Sequence, residues 1–205
     1  MSSEIDICNL SLSHLGDKAT VASIDPPEGS AQAEHCARFY PIARDALLEE
    51  GSWAFNTKRI ALASLADVPD AWSFAYAMPS DAMNIIALLP DGAGDDYDYG
   101  TDLVAWVCET TEDGDKVIYS NTESAVARYK AFVDDTTKFS PLFVMTLSWR
   151  LAGLLAGPVL KGDSGRSEAA RCEQIAAAYL AKAGTTNAKQ TKHNPTHTPT
   201  FVAAR

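Results

Sequence analysis

Two groups of carboxylates are the residues best placed, by type and spacing, to do chemistry. Glu49 and Glu50 are adjacent, and Glu109, Glu112 and Asp113 fall within one short segment. A glycosidase needs two carboxyls about 5–9 Å apart across a cleft, one to donate a proton and one to attack or to activate water. Neighbours at a helix end or on a hairpin do not make such a cleft, so both groups read as solvated charge. His193 and His197 have the i,i+4 spacing of a helical metal pair, but Pro195 between them forbids the helix. His14 and His35 have no ligand pattern around them and read as surface or capping residues. Asp95, Asp96, Asp98 and Asp102 suggest a calcium loop. Counted from Asp96, however, Thr101 stands where glycine is required and Val107 where the bidentate glutamate belongs. Ser164-Gly165 and Gly92-x-Gly94 lack the lysine and hydroxyl of a phosphate loop, and neither GxGxxG nor GxSxG occurs. No catalytic, cofactor or metal site is expected, and the chain reads as a non-enzyme.

The elements that hold these residues are those of an ordinary globular chain. At 205 residues, 46% hydrophobic and 21% charged, it is long and apolar enough for one domain with an insertion and a real core. The net charge of −10 argues against a protein that grips nucleic acid through its phosphates. The Met1-Ser-Ser start lacks the basic and apolar regions of a secretion signal. Cys8, Cys36, Cys108 and Cys172 are scattered, three of them on helical apolar stripes, as free cysteines in a reducing compartment are.

The organising stretch runs from Ser30 to Phe55. Ser30 is placed to cap a helix and Glu34 to complement its dipole. Cys36, Tyr40, Ala43 and Leu47 recur at the helical period as one buried stripe, with Phe39 and Ala46 widening it. Pro41 is expected to kink this helix near Ala37, and Gly51 to end it in the left-handed conformation. Trp53 and Phe55 then point back to the stripe from an extended segment. Arg44 is placed to stack on Tyr40, a packing role, or to pair with a neighbour's acid.

Before it, Ser3 and Asp6 form a capping box for a helix with Ile5, Cys8, Leu12 and Leu15 on one face, closed by Gly16. After it the period changes from 3.6 to 2. Trp72, Phe74 and Tyr76 give one strand an aromatic face, residues 80–89 fit a short helix or a strand, and Asp113-Gly114 joins two strands as a hairpin. Residues 125–133 add a further strand. Pro141 opens an apolar helix to Leu160, near the length of a membrane span; Arg150 at its centre points instead to a buried bundle helix. A last, alanine-rich helix over 166–183 presents Cys172, Ile175 and Tyr179 and is stopped by Gly184. The remaining segment holds no acid and three cations, Lys189, Lys192 and Arg205. The fold class is thus α+β. A helical bundle (1–55 and 138–184) carries an inserted antiparallel sheet (56–137) and an extended C-terminal arm (185–205).

The order Tyr40-Pro41, Arg44-Asp45, Leu47-Leu48, Trp53-x-Phe55 and Arg59-x-Ala61-Leu62-Ala63 resembles the tail tubular protein A family of short-tailed bacteriophages. Phe139, Pro141 and Phe143 leading into Leu151 to Ala156, and Ala183 to Lys189, extend the resemblance over most of residues 5–190. Members of that family form the adaptor ring between portal and tail nozzle. The resemblance implies a virion protein of the neck or tail, assembled in the host cytoplasm into a closed ring of twelve copies through which DNA passes without specific binding. It implies portal and nozzle proteins as partners, no cofactor and no membrane. Tyr40, Pro41, Arg44, Asp45, Trp53 and Phe55 would be its family core. Lys189, Lys192, Pro195, Pro199, Phe201, Val202 and Arg205 would form a docking arm, kept extended by its prolines and anchored by Phe201. The alternatives are a tail-associated peptidoglycan hydrolase and a neck or head-completion protein of another tail type.

Overall fold

The structure is a computed structural model that describes residues 2–18, 20–51, 53–93 and 104–189. Over the described residues it is a mixed α+β fold of four α-helices and two small antiparallel sheets. Two compact units are formed, one from Met1–Lys58, Asp81–Ile86 and Tyr129–Asn187, the other containing Arg59–Ser80 and Ala87–Arg128.

In the first unit, α1 (Glu4–His14) opens with a reciprocal cap. Ser3 Oγ accepts the Asp6 N–H at 3.1 Å, and the Asp6 carboxylate accepts the Ser3 N–H at 2.8 Å. Its buried face is Ile7, Cys8, Ser11 and Leu12; Ile5 is only half-buried, so the stripe is turned from the expected one toward Ile7. α2 (Ala31–Glu50) is capped by Ser30, whose Oγ accepts the Ala33 N–H at 3.1 Å. It runs unbroken through Pro41, whose ring is exposed, so the proline removes one helical donor without breaking the helix. Cys36, Tyr40, Ala43 and Leu47 are all buried as expected. Phe39 packs against the core as expected, Ala46 is exposed, and Arg44 and Leu48 widen the inner face further.

Two further helices complete this unit. α3 (Pro141–Leu160) is capped by Ser140 and starts at a proline, where the missing N–H costs nothing. Phe143, Leu147, Leu151 and Leu155, one helical face, join the α1 and α2 residues in a single core. This is the one described helix long and apolar enough to cross a membrane, and half of its length is buried inside the protein. Arg150 at its middle pairs with Glu50, and its Nε stands 3.9 Å from Glu173. α4 (Gly162–Ala188) begins four residues before the expected start and does not stop at Gly184. A lone glycine costs about 1 kcal/mol in a helix, and the alanines around it supply that. Thr185 and Thr186 return hydrogen bonds to Ala181 and Lys182 carbonyls, at 3.0 Å each. The expected extended arm is therefore helical over its first four residues, 185–188.

The expected single sheet is two. Strands β1 (Thr57–Ala61), β7 (Val126–Ala131) and β4 (Ala82–Leu89) lie side by side in that order. Of residues 80–89, β4 makes 82–89 a strand, and Ser80 and Asp81 are a turn. The second sheet has the order β2 (Ser64–Leu65), β3 (Phe74–Ala77), β6 (Lys116–Ser120), β5 (Trp106–Thr110). β5 and β6 form the expected hairpin, with Trp106 opposite Ser120 and Thr110 opposite Lys116. Gly114, at φ +90°, supplies the left-handed turn residue. Tyr76, buried on β3, donates its hydroxyl to the Thr122 carbonyl at 2.6 Å, tying the strand to the loop after β6. The unit boundaries fall inside β1, β4 and β7, so the inserted region is not set off by a single pair of joints.

Candidate functional site

The family-core residues, Tyr40, Pro41, Arg44, Asp45, Trp53 and Phe55, gather on α2 and the turn after it. The helix carries apolar side chains on two sides. The inner stripe enters the core, while Pro41, Ile42 and Ala46 face outward and are exposed, Ile42 by 58%.

Arg44 sits at the boundary between these faces and is 8% exposed. Its Nε donates to Asp45 Oδ1 at 2.8 Å, and Nη1 approaches Glu4 Oε1 at 3.9 Å. The guanidinium lies 4.9 Å from the centre of the Phe132 ring and 5.8 Å from that of Tyr40. The expected stacking on Tyr40 is present, and the acids that Arg44 meets here, Asp45 and Glu4, belong to its own chain. The closer ring is Phe132, just after β7, which no local pattern marked: its pairing with Arg44 is 88 residues distant in sequence. Tyr40 is buried and its hydroxyl has no partner among the described residues. Burial, reinforced by the nearby Glu4 carboxylate, raises its pKa well above the usual phenol range.

After α2 the chain turns through Gly51 into a 3-10 turn, Ala54–Asn56, not an extended segment. Gly51 is itself extended, with φ −79° and ψ 156°, not left-handed as expected. Trp53 is 2% exposed and donates Nε1–H to the Leu47 carbonyl at 2.8 Å. Its ring meets Phe143 edge-on at 4.9 Å, and Phe55 meets the same ring edge-on at 5.1 Å. Phe139 closes the block, 4.5 Å from Phe143 and 5.6 Å from Phe55. Edge-to-face rings at these separations are worth about 0.5–1.5 kcal/mol each beyond their burial. The block joins the end of α2 to the start of α3, and Trp53 and Phe55 have a packing role.

The candidate chemical groups are dispersed. Glu49 accepts from Asn84 Nδ2 at 3.3 Å, and Glu50 is engaged by Arg150. Glu109 lies exposed on β5, and Glu112 and Asp113 are exposed in the hairpin turn. Ser164 and Gly165 are inside α4, where Gly165 lets the helix approach the Ala156 carbonyl of α3. His35 is half-buried beside Phe39, and His14 packs on Trp149. Cys8, Cys36 and Cys172 are buried on helices as expected, and Cys108 is exposed on β5. Among the described residues no group of three or more His, Cys, Asp or Glu side chains could hold a metal ion. Lys189 stands exposed just past α4. Lys192, Pro195, Pro199, Phe201, Val202 and Arg205 lie outside the described residues, as do His193, His197 and the loop aspartates Asp95, Asp96, Asp98 and Asp102. Compared with known protein families and with curated proteins, the chain matches none.

Proposed function

We propose that this protein is a structural assembly subunit, a head-to-tail adaptor of a short-tailed phage that closes into a ring between portal and nozzle. The observation that carries the reading is the double-sided motif helix. Tyr40, Arg44, Leu47 and Leu48 build the core, while Pro41, Ile42 and Ala46 of the same helix form an outward apolar strip on an acidic protein. Apolar residues grouped on the outer side of a packed helix support a protein contact.

The charge fits the same work. A ring around a DNA channel must not hold the duplex, because each phosphate contact adds affinity and slows passage. A subunit of net charge −10 repels phosphate over a Debye length of about 8–10 Å. The cationic C-terminal segment then serves a protein partner, the portal, not the channel. The reading needs no catalytic residue, cofactor or metal.

Electron microscopy of the purified protein, alone and with the portal protein of the same phage, tests this. Rings with a central channel, or a ring of density added to the portal, are expected. A protein that stays monomeric and leaves the portal bare overturns the reading. Peptidoglycan zymography that shows clearing by the purified chain moves it to the hydrolase class.

A further inference from the structure

Three helices of the first unit meet at one indole. The His14 ring, in the last turn of α1, lies flat on Trp149 of α3, with centroids 3.6 Å apart and planes 6° from parallel. Arg171 of α4 places its guanidinium 5.5 Å from the centre of the same indole. His14 Nε2 is 3.1 Å from Ser148 Oγ, and Ser148 donates its own proton to the Met145 carbonyl at 2.9 Å. Ser148 has then only a lone pair to offer, so Nε2 carries the hydrogen and neutral His14 keeps Nδ1 unprotonated.

The charged groups around this stack are few. On α4, Arg171 is held by Glu168, with Nε 2.9 and 3.0 Å from the two carboxylate oxygens. On the same helix Cys172 is a buried thiol. Past the end of α1, Asp17 accepts from Gln32 at 3.2 Å. From α3 the partners are the neutral Ser148 and Trp149. The helix C-terminus and the indole face favour an imidazolium, while burial and the Arg171 charge oppose it. Burial first, then Arg171, hold His14 below its ordinary value of 6.5.

We propose that His14, Trp149 and Arg171 form a proton-operated latch across α1, α3 and α4: neutral His14 holds the stack closed, and the imidazolium opens it. Protonation sets two cations against one indole and adds an Nδ1–H to a half-buried ring. The weaker member leaves. That member is Arg171, whose Glu168 partner is on its own helix and goes with it. Acid therefore loosens the middle of α4 from α3 while the aromatic block at Trp53 stays packed.

The test is a ring-nitrogen NMR titration of the full chain between pH 8 and 4.5, with His14→Gln used to assign the His14 signals. His14 is expected to titrate below 6.5, and the Trp149 indole N–H signal to move with the same midpoint. Arg171→Gln removes an exposed charge without touching the core. It is expected to raise the proton affinity of His14 about threefold, the size of one screened neighbouring charge. Amide protection around Arg171 is expected to fall about tenfold from pH 7.5 to 5 in the wild type and to stay level in His14→Gln. A His14 midpoint at or above 6.5, an indole signal that ignores it, or an unchanged midpoint in Arg171→Gln overturns the latch.

Discussion

The indole of Trp53 occupies the space that a side chain on Gly51 would need. A Cβ built on Gly51 would stand 2.2 Å from Trp53 Nε1 and 2.4 Å from Cε2. Gly51 has an extended backbone that any residue adopts, so the glycine is required by contact and not by conformation. Gly51→Ala should therefore displace the indole and cost about 1–3 kcal/mol or more, the range for overpacking a rigid site. Chemical denaturation checks this; a variant as stable as the parent would show that the turn relaxes freely.

Trp53 itself contributes packing and one hydrogen bond, and two substitutions separate them. Trp53→Ala should cost about 3–5 kcal/mol by leaving a cavity against Phe143 and Phe55. Trp53→Phe keeps a ring but loses the donor to Leu47. The Leu47 carbonyl still accepts the Gly51 N–H at 3.1 Å, so the bond itself should account for only about 1 kcal/mol of the loss. Urea titrations of both variants give the two numbers.

Ile42 tests the outward face of α2. Because it is 58% exposed, Ile42→Asp should change monomer stability by no more than about 0.5 kcal/mol. Ring formation or portal docking should fail. Sedimentation velocity with and without the portal reads assembly, and a fully assembling Ile42→Asp would move the contact elsewhere on the surface.

Removing the cationic C-terminal segment should separate folding from docking. α4 ends at Ala188, so the cut belongs after Lys189, not at the glycine expected to end the helix. A chain ending at Lys189 should melt within about 2 °C of the full one, since no described core residue is lost. Its affinity for the portal should fall. Equal docking by the shortened chain would assign the segment another purpose.

The Lys58–Asp81 pair predicts a modest acid effect. Lys58 Nζ donates to Asp81 at 2.6 Å and Tyr129 donates its hydroxyl at 3.0 Å. The Lys58 hydrogen bond, and then that of Tyr129, hold Asp81 below its ordinary 3.8. A carboxylate with a depressed pKa stabilises the fold above the unfolded value, and that contribution is lost as pH falls through the folded one. The loss should therefore lie below pH 3.8 and be absent in Asp81→Asn. Both side chains are over a third exposed, so it should stay under about 1 kcal/mol. Stability measured from pH 6 to 2.5 in the two proteins checks it.

What the sequence determined by itself was local. Caps at Ser3 and Ser30, the period of Cys36, Tyr40, Ala43 and Leu47, the proline opening α3 and the Asp113-Gly114 turn each act over a few residues. Their signals therefore survive without knowledge of neighbours. The tertiary structure decided what depends on distant partners. Gly51 is extended because Trp53 folds back over it, α4 continues through Gly184 because nothing in the turn competes with an alanine-rich helix, and residues 82–89 are a strand because β7 offers a ladder. Arg44 could be placed on its helix from the sequence, but its ring partner Phe132 arrives from the end of a strand far along the chain. The same holds for His14 on Trp149, a contact between residues 135 positions apart that no period or motif encodes. Side chains that meet across elements do so because burying apolar surface brings the elements together, and that register exists only in three dimensions.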